Sequence, residues 1–598
     1  MQLCVIDKKI NMKINFQYKI AIVTVLFGTQ LTIAQKKDQN IGNEVVNVVK
    51  PYTPTISDAF KVKETPSLDD DDNSKKENIQ YNIFSFPVAS TFTPSKGKAA
   101  GVDKEEQEKL FSNYATLAAG NYGNINAELF VTQTLENNNY IGAMLRHLSS
   151  QGGIKEAVLD DKFSNTSVDL TYGSRTREMS WNADLGYSRQ MYNWYGLNPA
   201  LYETLLPADQ NTFINGIDSK QTYQNISLGG RLSLKESVFK EASIKFNRFS
   251  DAFSSAENRF VAKPSFAFEF LEENIKADFV LDYIGGSFDK DYSGNSEIKY
   301  GFTNIGFKPS FQILKDDLSV NVGIGLFYSM ANQEGDNKFF IYPNITASYK
   351  VVGDLMIAYA GAEGNLKQNS FQEFTQENFF VSPTLGIAPT DQKFDIYVGL
   401  KGKLANSISY NVRGSYLNED NRALFRNNIY NYDNTNTEGY AYGNSFDVVY
   451  DNVKTLSFFG ELKADFSKNV SFGINGTFSN YSEKDQNEAW NLPTLKIGSN
   501  VDFNITPKWS AGVNVFFVGE RKDLVTFTSF DPLINGTREI VTLDSYFDLN
   551  ANVGFKYSDR LTFFLKGNNI ANQKYQRWIN YPVQGVQGLV GANYKFDF

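Results

Sequence analysis

The sequence predicts an all-β protein, a transmembrane antiparallel β-barrel of about 22 strands with short turns and long loops at opposite ends. Aromatic residues make up 15% of the 598 residues although all hydrophobic residues reach only 41%. That composition favours many half-exposed strands over several packed cores. From about residue 111 the side chains alternate between apolar and polar, and short and long polar connections alternate along the chain.

Residues 1–34 are predicted to be a secretory signal peptide. After Met12 a short basic stretch precedes an apolar run over residues 20–33, which ends in small residues before Gln35. The run contains polar residues and is too short to cross a bilayer as a helix, so we favour cleavage over a membrane anchor. The only cysteine, Cys4, would leave with this peptide.

Residues 35–110 are predicted to form a separate N-terminal segment that is mostly extended or loosely structured. The segment contains several prolines and the acidic run Asp69–Asp72, and it shows little periodicity. The acidic run lacks the alternation of ligand and turn residues found in EF-hand loops, so we interpret it as a solvated loop rather than a calcium site.

Residues 111–598 are predicted to form the barrel. Alternation over residues 318–328 and 547–557 gives each strand one apolar and one polar face. Strands in soluble sandwiches usually span about 5–6 residues, whereas a tilted strand needs about 9–11 to cross a bilayer. Short connections, as at 315–317 and 353–354, alternate with long ones, at 189–221, 368–392, 419–444 and 520–543. A sheet in lipid must also close, because lipid offers its edges no hydrogen-bond partners.

Composition also excludes several function classes. The net charge of −9 gives no basis for nucleic-acid binding, which needs clustered Lys and Arg. With one histidine, His147, and one cysteine, neither a histidine-based metal site nor a conventional catalytic triad is possible. We therefore predict no enzyme, no catalytic or metal-binding residues and no cofactor. Residues 433–438 offer oxygen ligands for calcium, but polar turn residues explain them equally well.

Four aromatic residues near the start of the first long loop form a candidate binding cluster: Tyr187, Tyr192, Trp194 and Tyr195. They would suit stacking on sugars or contact with a protein partner. An aromatic girdle at the membrane interface is the alternative interpretation.

The chain ends in a strand with aromatic residues on one face, at Tyr594, Phe596 and Phe598. A terminal Phe after alternating aromatics is similar to the β-signal by which the barrel-assembly machinery recognises its clients. Upstream, residues 545–575 resemble the end of TonB-dependent outer-membrane receptors. The asparagine-rich motif of that family is matched here by Asn568, Asn569, Ile570, Asn572 and Tyr575.

This resemblance implies a 22-stranded barrel in the outer membrane of a Gram-negative, Bacteroidota-like cell, with short periplasmic turns, long extracellular loops and both termini in the periplasm. Members of the family carry a plug domain before the barrel, and residues 35–110 are too few for it. A segment resembling the coupling box that binds TonB consists of Glu44, Val45, Val46, Val48 and Val49. An ordinary short Val-rich peptide explains that segment equally well.

Three functions fit these observations. The favoured one is a structural or accessory subunit of a larger outer-membrane complex for barrel assembly, surface-lipoprotein export or secretion. Its partners would be outer-membrane lipid, the barrel-assembly machinery, and outer-membrane or lipoprotein subunits. The alternative is TonB-dependent uptake of a large or scarce nutrient. The third is a passive porin-like channel. It is less favoured because an open barrel of this size would be a wide gap in the permeability barrier of the membrane.

Overall fold

A computed structural model describes residues 110–598 except 204, 271–272, 334, 432–434 and 528–536. The predicted signal peptide, nearly all of the N-terminal segment and the coupling-box segment lie outside the described residues. Within the described ranges, no helix has the length and apolar character needed to cross a membrane.

The described chain forms one closed antiparallel barrel of 22 strands. Neighbouring strands are hairpin-connected, and the ring closes where the first strand, β1 (Asn113–Gly120), pairs with the last, β26 (Gln587–Phe596), from Asn113 opposite Phe596 to Gly120 opposite Leu589. The predicted fold class is therefore confirmed. Each barrel strand pairs with a neighbour on both sides, so the described barrel has no free sheet edge, which satisfies the requirement that lipid imposes.

The barrel strands are β1 (Asn113–Gly120), β2 (Ile125–Thr134), β3 (Asn139–Ser150), β4 (Phe163–Arg175), β5 (Met179–Asn193), β6 (Lys220–Leu234), β7 (Phe239–Ser250), β8 (Ala256–Phe270), β9 (Glu273–Phe288), β10 (Ile298–Lys315), β11 (Leu318–Ala331), β12 (Lys338–Val352), β13 (Met356–Lys367), β14 (Thr390–Ala405), β15 (Ile408–Asn427), β16 (Phe446–Ser467), β17 (Val470–Ser482), β18 (Leu495–Thr506), β19 (Trp509–Val518), β22 (Tyr546–Lys556), β23 (Leu561–Asn568) and β26 (Gln587–Phe596). Two small hairpins lie in the long connections: β20 (Arg521–Phe527) with β21 (Thr537–Leu543), and β24 (Gln576–Trp578) with β25 (Tyr581–Pro582). Two α-helices, Pro207–Asn215 and Phe371–Glu377, and three 3-10 turns, Asn121–Gly123, Glu136–Asn138 and Pro199–Leu201, also lie in connections.

The outer surface of the barrel is apolar. Large hydrophobic side chains on alternate strand positions point away from the protein, as at Ile244, Val398 and Phe458, which are 54%, 64% and 56% exposed. Charged and polar residues such as Lys245 take the opposite face of the same strands, toward the lumen. This is the pattern that a lipid-embedded barrel with a polar interior requires.

The two ends of the barrel differ. At one rim the connections are tight, as between β10 and β11, where Asp316 takes a positive φ of 47°, and between β12 and β13, where Gly353 takes 49°. The long connections all leave the other rim. Because β1 begins and β26 ends at the short-turn rim, both ends of the barrel chain lie on the same side.

Three predicted loops contain more regular structure than expected. β15 continues to Asn427, so the loop expected over 419–444 is reduced to 428–445. Residues 520–543 contain the β20–β21 hairpin, and residues 368–389 contain the helix Phe371–Glu377. Alternation did not reveal these elements because they pack against other loops rather than against lipid and water.

Candidate functional site: a cap of inward-folded loops

Six long connections fold over the mouth of the barrel and form a structure that we call the loop cap. It consists of residues 194–219, 368–389, 428–445, 483–494, 519–545 and 569–586 as far as they are described. Asn444 Nδ2 donates a 2.8 Å hydrogen bond to the carbonyl oxygen of Trp194. These residues follow β15 and β5, which lie ten strands apart (15 − 5) in the 22-strand ring. The two loops therefore meet across the full width of the mouth.

An apolar core rich in aromatic residues holds the loop cap together. It joins side chains from the strand ends to side chains from the loops, and Phe371, Val381, Leu385 and Phe446 in it are fully buried. Its buried members are Tyr192, Tyr223, Phe249, Ile284, Phe288, Tyr300, Phe371, Phe374, Val381, Leu385, Ile387, Phe425, Phe446, Val448, Val525, Leu543, Trp578, Ile579 and Tyr581. Burial of this much apolar surface makes the loops part of the folded structure and closes the mouth.

Tyr581 contacts three other loops of the loop cap. Its ring stacks on Phe380 with centroids 3.7 Å apart, and it meets Tyr195 edge-on at 4.8 Å. Its hydroxyl donates a short hydrogen bond to the carbonyl oxygen of Asn444. A Cβ atom at Gly196 would lie 2.3 Å from Cε2 of the Tyr581 ring, so this approach requires glycine. Four loops thus converge on one buried side chain.

The helix Phe371–Glu377 is fixed to the barrel wall by its N-terminus. Ser370 caps the helix by accepting a hydrogen bond from the Glu373 N–H at 3.1 Å. The buried carboxylate of Glu257 on β8 accepts hydrogen bonds from the N–H groups of Phe371 at 2.7 Å and Gln372 at 3.3 Å. Tyr300 donates to the same carboxylate at 2.8 Å. A negative charge at a helix N-terminus is favourable both for the free N–H groups and for the helix dipole.

Ion pairs add a second connection between this helix and the wall. Arg259 on β8 contacts Asp282 on β9 at 2.8 Å and Glu373 of the helix at 2.6 Å. The Arg259 side chain is only 16% exposed, so solvent screens the pairs less than it would at the surface. The wall therefore presents charges that match those of the inserted helix.

The β20–β21 hairpin is held by two charged side chains. Arg521 donates hydrogen bonds to the carbonyl oxygens of Arg577 at 2.8 Å and Gln576 at 2.9 Å. Asp523 is fully buried and accepts from the N–H of Asn427 at 3.0 Å and from Nδ2 of Asn491 at 2.9 Å. Burial raises the pKa of Asp523 to about 6 despite these hydrogen bonds.

A further carboxyl group, that of the half-buried Asp251, lies at the rim beneath the loop cap. Asp251, in the connection between β7 and β8, accepts hydrogen bonds from the N–H groups of Phe253 and Ser255, both at 2.9 Å, and from Gln221 at 3.2 Å. Burial raises the pKa of Asp251 to about 6. Two groups of the closed mouth thus titrate just below neutral pH.

The aromatic cluster predicted as a binding surface is divided by the structure. Tyr187 points outward and is 40% exposed, which fits the interfacial girdle. Tyr192 and Trp194 are buried at 8% and 1%, and Tyr192 stacks on Phe379 with centroids 4.1 Å apart. Tyr195 packs in the same core. The prediction that the cluster stacks on sugars or contacts a partner is therefore wrong for Tyr192, Trp194 and Tyr195 in the closed mouth, because their rings are already covered.

The predicted C-terminal motif begins the last loop. Asn569 is 4% exposed, and its Nδ2 donates 3.0 Å hydrogen bonds to the carbonyl oxygens of Gln573 and Gln584. Tyr575 stacks on Tyr546 with centroids 3.9 Å apart. The other members of the motif are Asn568, the last residue of β23, Ile570, which is 41% exposed, and Asn572, which takes a φ of 51°. In this structure the hydrogen bonds and stacking of the motif fix the conformation of the loop that contains Tyr581.

The residues of the predicted β-signal share one face at the short-turn rim. The Tyr594 and Phe596 rings stack with centroids 6.0 Å apart, and Phe596 meets Phe598 edge-on at 5.5 Å. Phe598 is 81% exposed. Recognition of this face by the assembly machinery stays a prediction. The predicted coupling residues Glu44, Val45, Val46, Val48 and Val49 lie outside the described residues.

No metal site emerges from the part of the chain that the structure describes, where no three His, Cys, Asp or Glu residues form a group that could hold an ion. His147 on β3 lies 2.8 Å from Thr166 Oγ1 and 3.1 Å from Ser149 Oγ. In the candidate calcium loop, Glu438 pairs with Lys290 at 2.7 Å, and residues 433–434 lie outside the described ranges.

Sequence reasoning missed the loop cap itself. A signal was present, because Phe371, Phe374, Phe379 and Phe380 lie in one connection and Trp578 and Tyr581 in another. Loops exposed to water seldom need so many large apolar side chains. Their density indicates that the loops pack against something, although it does not identify the partner.

Comparison with solved structures identifies barrels of the same architecture. The FrpB iron transporter from Neisseria meningitidis superposes with a TM-score of 0.61 at 10% identity, over 82% of each chain. The copper transporter OprC gives 0.58 at 12% identity, also over 82% of each chain. The ferripyoverdine receptor of the outer membrane of Pseudomonas aeruginosa gives 0.59 at 13% identity, over 82% of this chain and 73% of that one.

These likenesses establish the fold. No protein family matches the chain, and no curated protein matches it by sequence. The solved proteins are transporters and receptors by their descriptions, and their architecture is the one that the C-terminal motif predicts.

Proposed function

We propose that this protein is a receptor-type transport barrel of the outer membrane, closed at rest by the loop cap, which opens to admit a ligand. The observation that carries this proposal is the meeting of loops 194–219 and 428–445 across the mouth of a 22-strand barrel. An open barrel of this strand number would be a wide hole in the membrane, so a transport function requires a closure that can be released.

The similar structures support the choice of cargo class. They are described as an iron transporter, a copper transporter and a ferripyoverdine receptor. A scarce metal or a metal complex is therefore the proposed ligand. The long loops would face the cell exterior, both chain ends would lie in the periplasm, and residues 44–49 would contact TonB by adding an extended strand to it.

A structural or accessory subunit of a larger outer-membrane complex is the second candidate. It is favoured by the core of the loop cap, because opening would expose Phe371, Phe446, Tyr581 and the other buried rings. A barrel that never opens would keep this core as ordinary folded structure. The closed mouth argues against a passive porin-like channel, because it would block free diffusion.

Locking the loop cap tests the transport proposal. Lys290 and Glu438 form a 2.7 Å ion pair between connections 289–297 and 428–445, so cysteines at both positions can be joined by a short bismaleimide. Transport predicts that the joined variant fails to complement a deletion strain, whereas each single-cysteine variant treated with the same reagent complements it. Full complementation by the joined variant would contradict transport and support the accessory role.

Two further measurements separate the candidates, and a third tests both of them. A pull-down in mild detergent that recovers barrel-assembly or secretion subunits in stoichiometric amounts would favour the accessory role. Loss of growth on one nutrient after deletion of residues 43–50 would favour coupled uptake. Planar-bilayer recordings should show no steady conductance, and a constantly open pore would contradict both candidates.

A further inference from the structure

We propose that the loop cap contains a binding site for an oxyanion group, in a cavity of about 220 Å³ between the guanidinium groups of Arg426 and Arg538. Arg426 lies near the end of β15, and Arg538 lies on β21 of the inserted hairpin. The cavity is also lined by Tyr292, Thr384, Asn428 and Asp447. Four connections and two strand ends thus build one polar cavity inside the closed mouth.

The two guanidinium groups are short of acceptors. The Arg426 side chain makes no hydrogen bond within the described residues, and its single ionic contact, to Asp447, is 3.9 Å long. The Arg538 side chain has neither a hydrogen bond nor an ion pair in that part of the chain. By contrast, Arg259 reaches its two carboxylate partners at 2.8 and 2.6 Å. The Arg426 side chain is 24% exposed and Arg538 is exposed, so the guanidinium donors of both residues face the cavity or solvent and are available to a ligand.

The charged side chains that line the cavity carry a net positive charge. Asp447 is the lining carboxylate, and one of its oxygens accepts a hydrogen bond from the Val448 N–H at 2.8 Å. Asp523 also lies near Arg426, but it is fully buried and its oxygens are occupied by Asn427, Asn491 and Leu524. Two guanidinium groups therefore face a single available carboxylate. Like charges in a partly buried site are costly, and an anion between them relieves that cost.

The remaining polar groups do not compete for the anion. Tyr292 donates its hydroxyl to the carbonyl oxygen of Ile429 at 2.6 Å. Asn428 donates to Ser382 and Ser445, and Thr384 shares a hydrogen bond with Ser382. The free donors are thus the planar guanidinium groups, which bind carboxylate and phosphate oxygens in pairs of charge-assisted hydrogen bonds.

The size of the cavity limits the ligand. Sites for drug-sized ligands usually occupy about 300–1,000 Å³, so this cavity suits a small carboxylate or phosphate, or one such group at the edge of a larger ligand. As a subsite for transported cargo it rests on the proposed receptor function. As an anion site in the closed mouth, it rests only on the positions and free donors of Arg426 and Arg538.

Isothermal titration calorimetry on the full-length protein in detergent tests the site, with inorganic phosphate and citrate as probes at constant ionic strength. We expect saturable binding of at least one probe. Arg426→Gln and Arg538→Gln should each weaken it at least about tenfold, because each removes one of two charge-assisted contacts. Phosphate binding alone would indicate a small tetrahedral anion, and citrate binding alone would indicate carboxylate recognition.

Arg177→Gln is the matched control, since it removes the same charge from an exposed turn at the opposite rim. It should leave the affinity unchanged. Because Arg538 is itself exposed, its variant should fold, and retained heat-modifiable migration on gels would verify this. Absence of saturable binding, or equal loss in Arg177→Gln, would overturn the site. Transport is scored separately by complementation, so a protein that binds anions without transporting would refute only the receptor proposal.

Discussion

Phe380 and Tyr581 stack with their ring centroids 3.7 Å apart and their planes inclined by 19°. Phe380 belongs to connection 368–389 and Tyr581 to connection 569–586, so the contact joins loops far apart in the sequence. The close approach of Gly196 brings connection 194–219 to the same ring. Because several loops depend on one side chain, the loop cap should loosen as a unit rather than loop by loop.

Tyr581→Ala should open the loop cap and leave the barrel intact. Removing a buried aromatic side chain costs about 3–5 kcal/mol, which exceeds what individual loop contacts can replace. Hydrogen–deuterium exchange should rise in connections 194–219, 368–389 and 428–445 together. Exchange in the barrel strands should stay slow.

Two controls distinguish the stacked ring from its hydroxyl group. Tyr581→Phe keeps the contact with Phe380 and loses only the hydrogen bond to Asn444, which should cost about 1–2 kcal/mol. Tyr187→Ala on the lipid-facing surface should leave exchange in the loop cap unchanged. If Tyr581→Phe accelerated exchange as much as Tyr581→Ala, stacking would not be the main contribution.

Glu257→Ala should release the helix Phe371–Glu377 from the wall. The substitution leaves two helix N–H groups and the Tyr300 hydroxyl without their acceptor, at a cost of about 3 kcal/mol. Glu257→Gln keeps one acceptor oxygen and should cost less. Exchange rates in residues 371–377 measure both effects. Glu241→Gln, an exposed wall position, serves as the control, and equal exchange in all three variants would contradict the proposed anchor.

The barrel was predictable from the sequence because its determinants are local. Alternation along 318–328 assigns each side chain to lipid or lumen, and turn residues such as Asp316 and Gly353 mark the ends of strands. Closure then follows from the chemistry of lipid. None of these steps requires knowledge of which distant residues touch.

The loop cap was not predictable in the same way because its contacts are non-local. Tyr581 meets Asn444 across 137 residues, and Glu257 meets Phe371 across 114. No periodicity links such pairs, and each loop alone shows only an excess of aromatic residues. This is why the sequence leaves a binding surface and an interfacial girdle open for the cluster at Tyr192 and Trp194, although other loops cover it.

The loop cap should lose stability as the pH rises from about 4 to about 6. Asp251 and Asp523 have pKa values raised to about 6 from an ordinary value of 3.8, so the folded state binds their protons more tightly than the unfolded state. Their contribution to the free energy of unfolding is fully present below about pH 4 and is lost as the pH rises through 6. Each group accounts for up to about 3 kcal/mol.

Urea titration followed by tryptophan emission measures this dependence, because Trp194, Trp490 and Trp578 are buried in the loop cap. The midpoint should be higher at pH 5 than at pH 7.5. Asp523→Asn removes one titrating group and should reduce the difference between the two midpoints, while Asp218→Asn in an exposed loop should not. A midpoint that rises with pH would show that the hydrogen bonds to these carboxylates outweigh their burial.

Phe598→Ala should reduce assembly of the barrel without reducing the stability of molecules that do assemble. Phe598 is 81% exposed and contacts Phe596 at the edge of its ring, so it contributes little to packing. An exposed aromatic that packs so little is more useful for recognition than for folding. The amount of folded protein in outer-membrane fractions should fall severalfold, while the thermal midpoint of the purified barrel stays constant.

Tyr557→Ala is the control, because it removes another aromatic side chain, 65% exposed, at the same rim. It should leave the amount of folded protein unchanged. Equal losses in both variants would mean that rim aromatics act through the membrane interface, and the β-signal interpretation of Tyr594, Phe596 and Phe598 would fail.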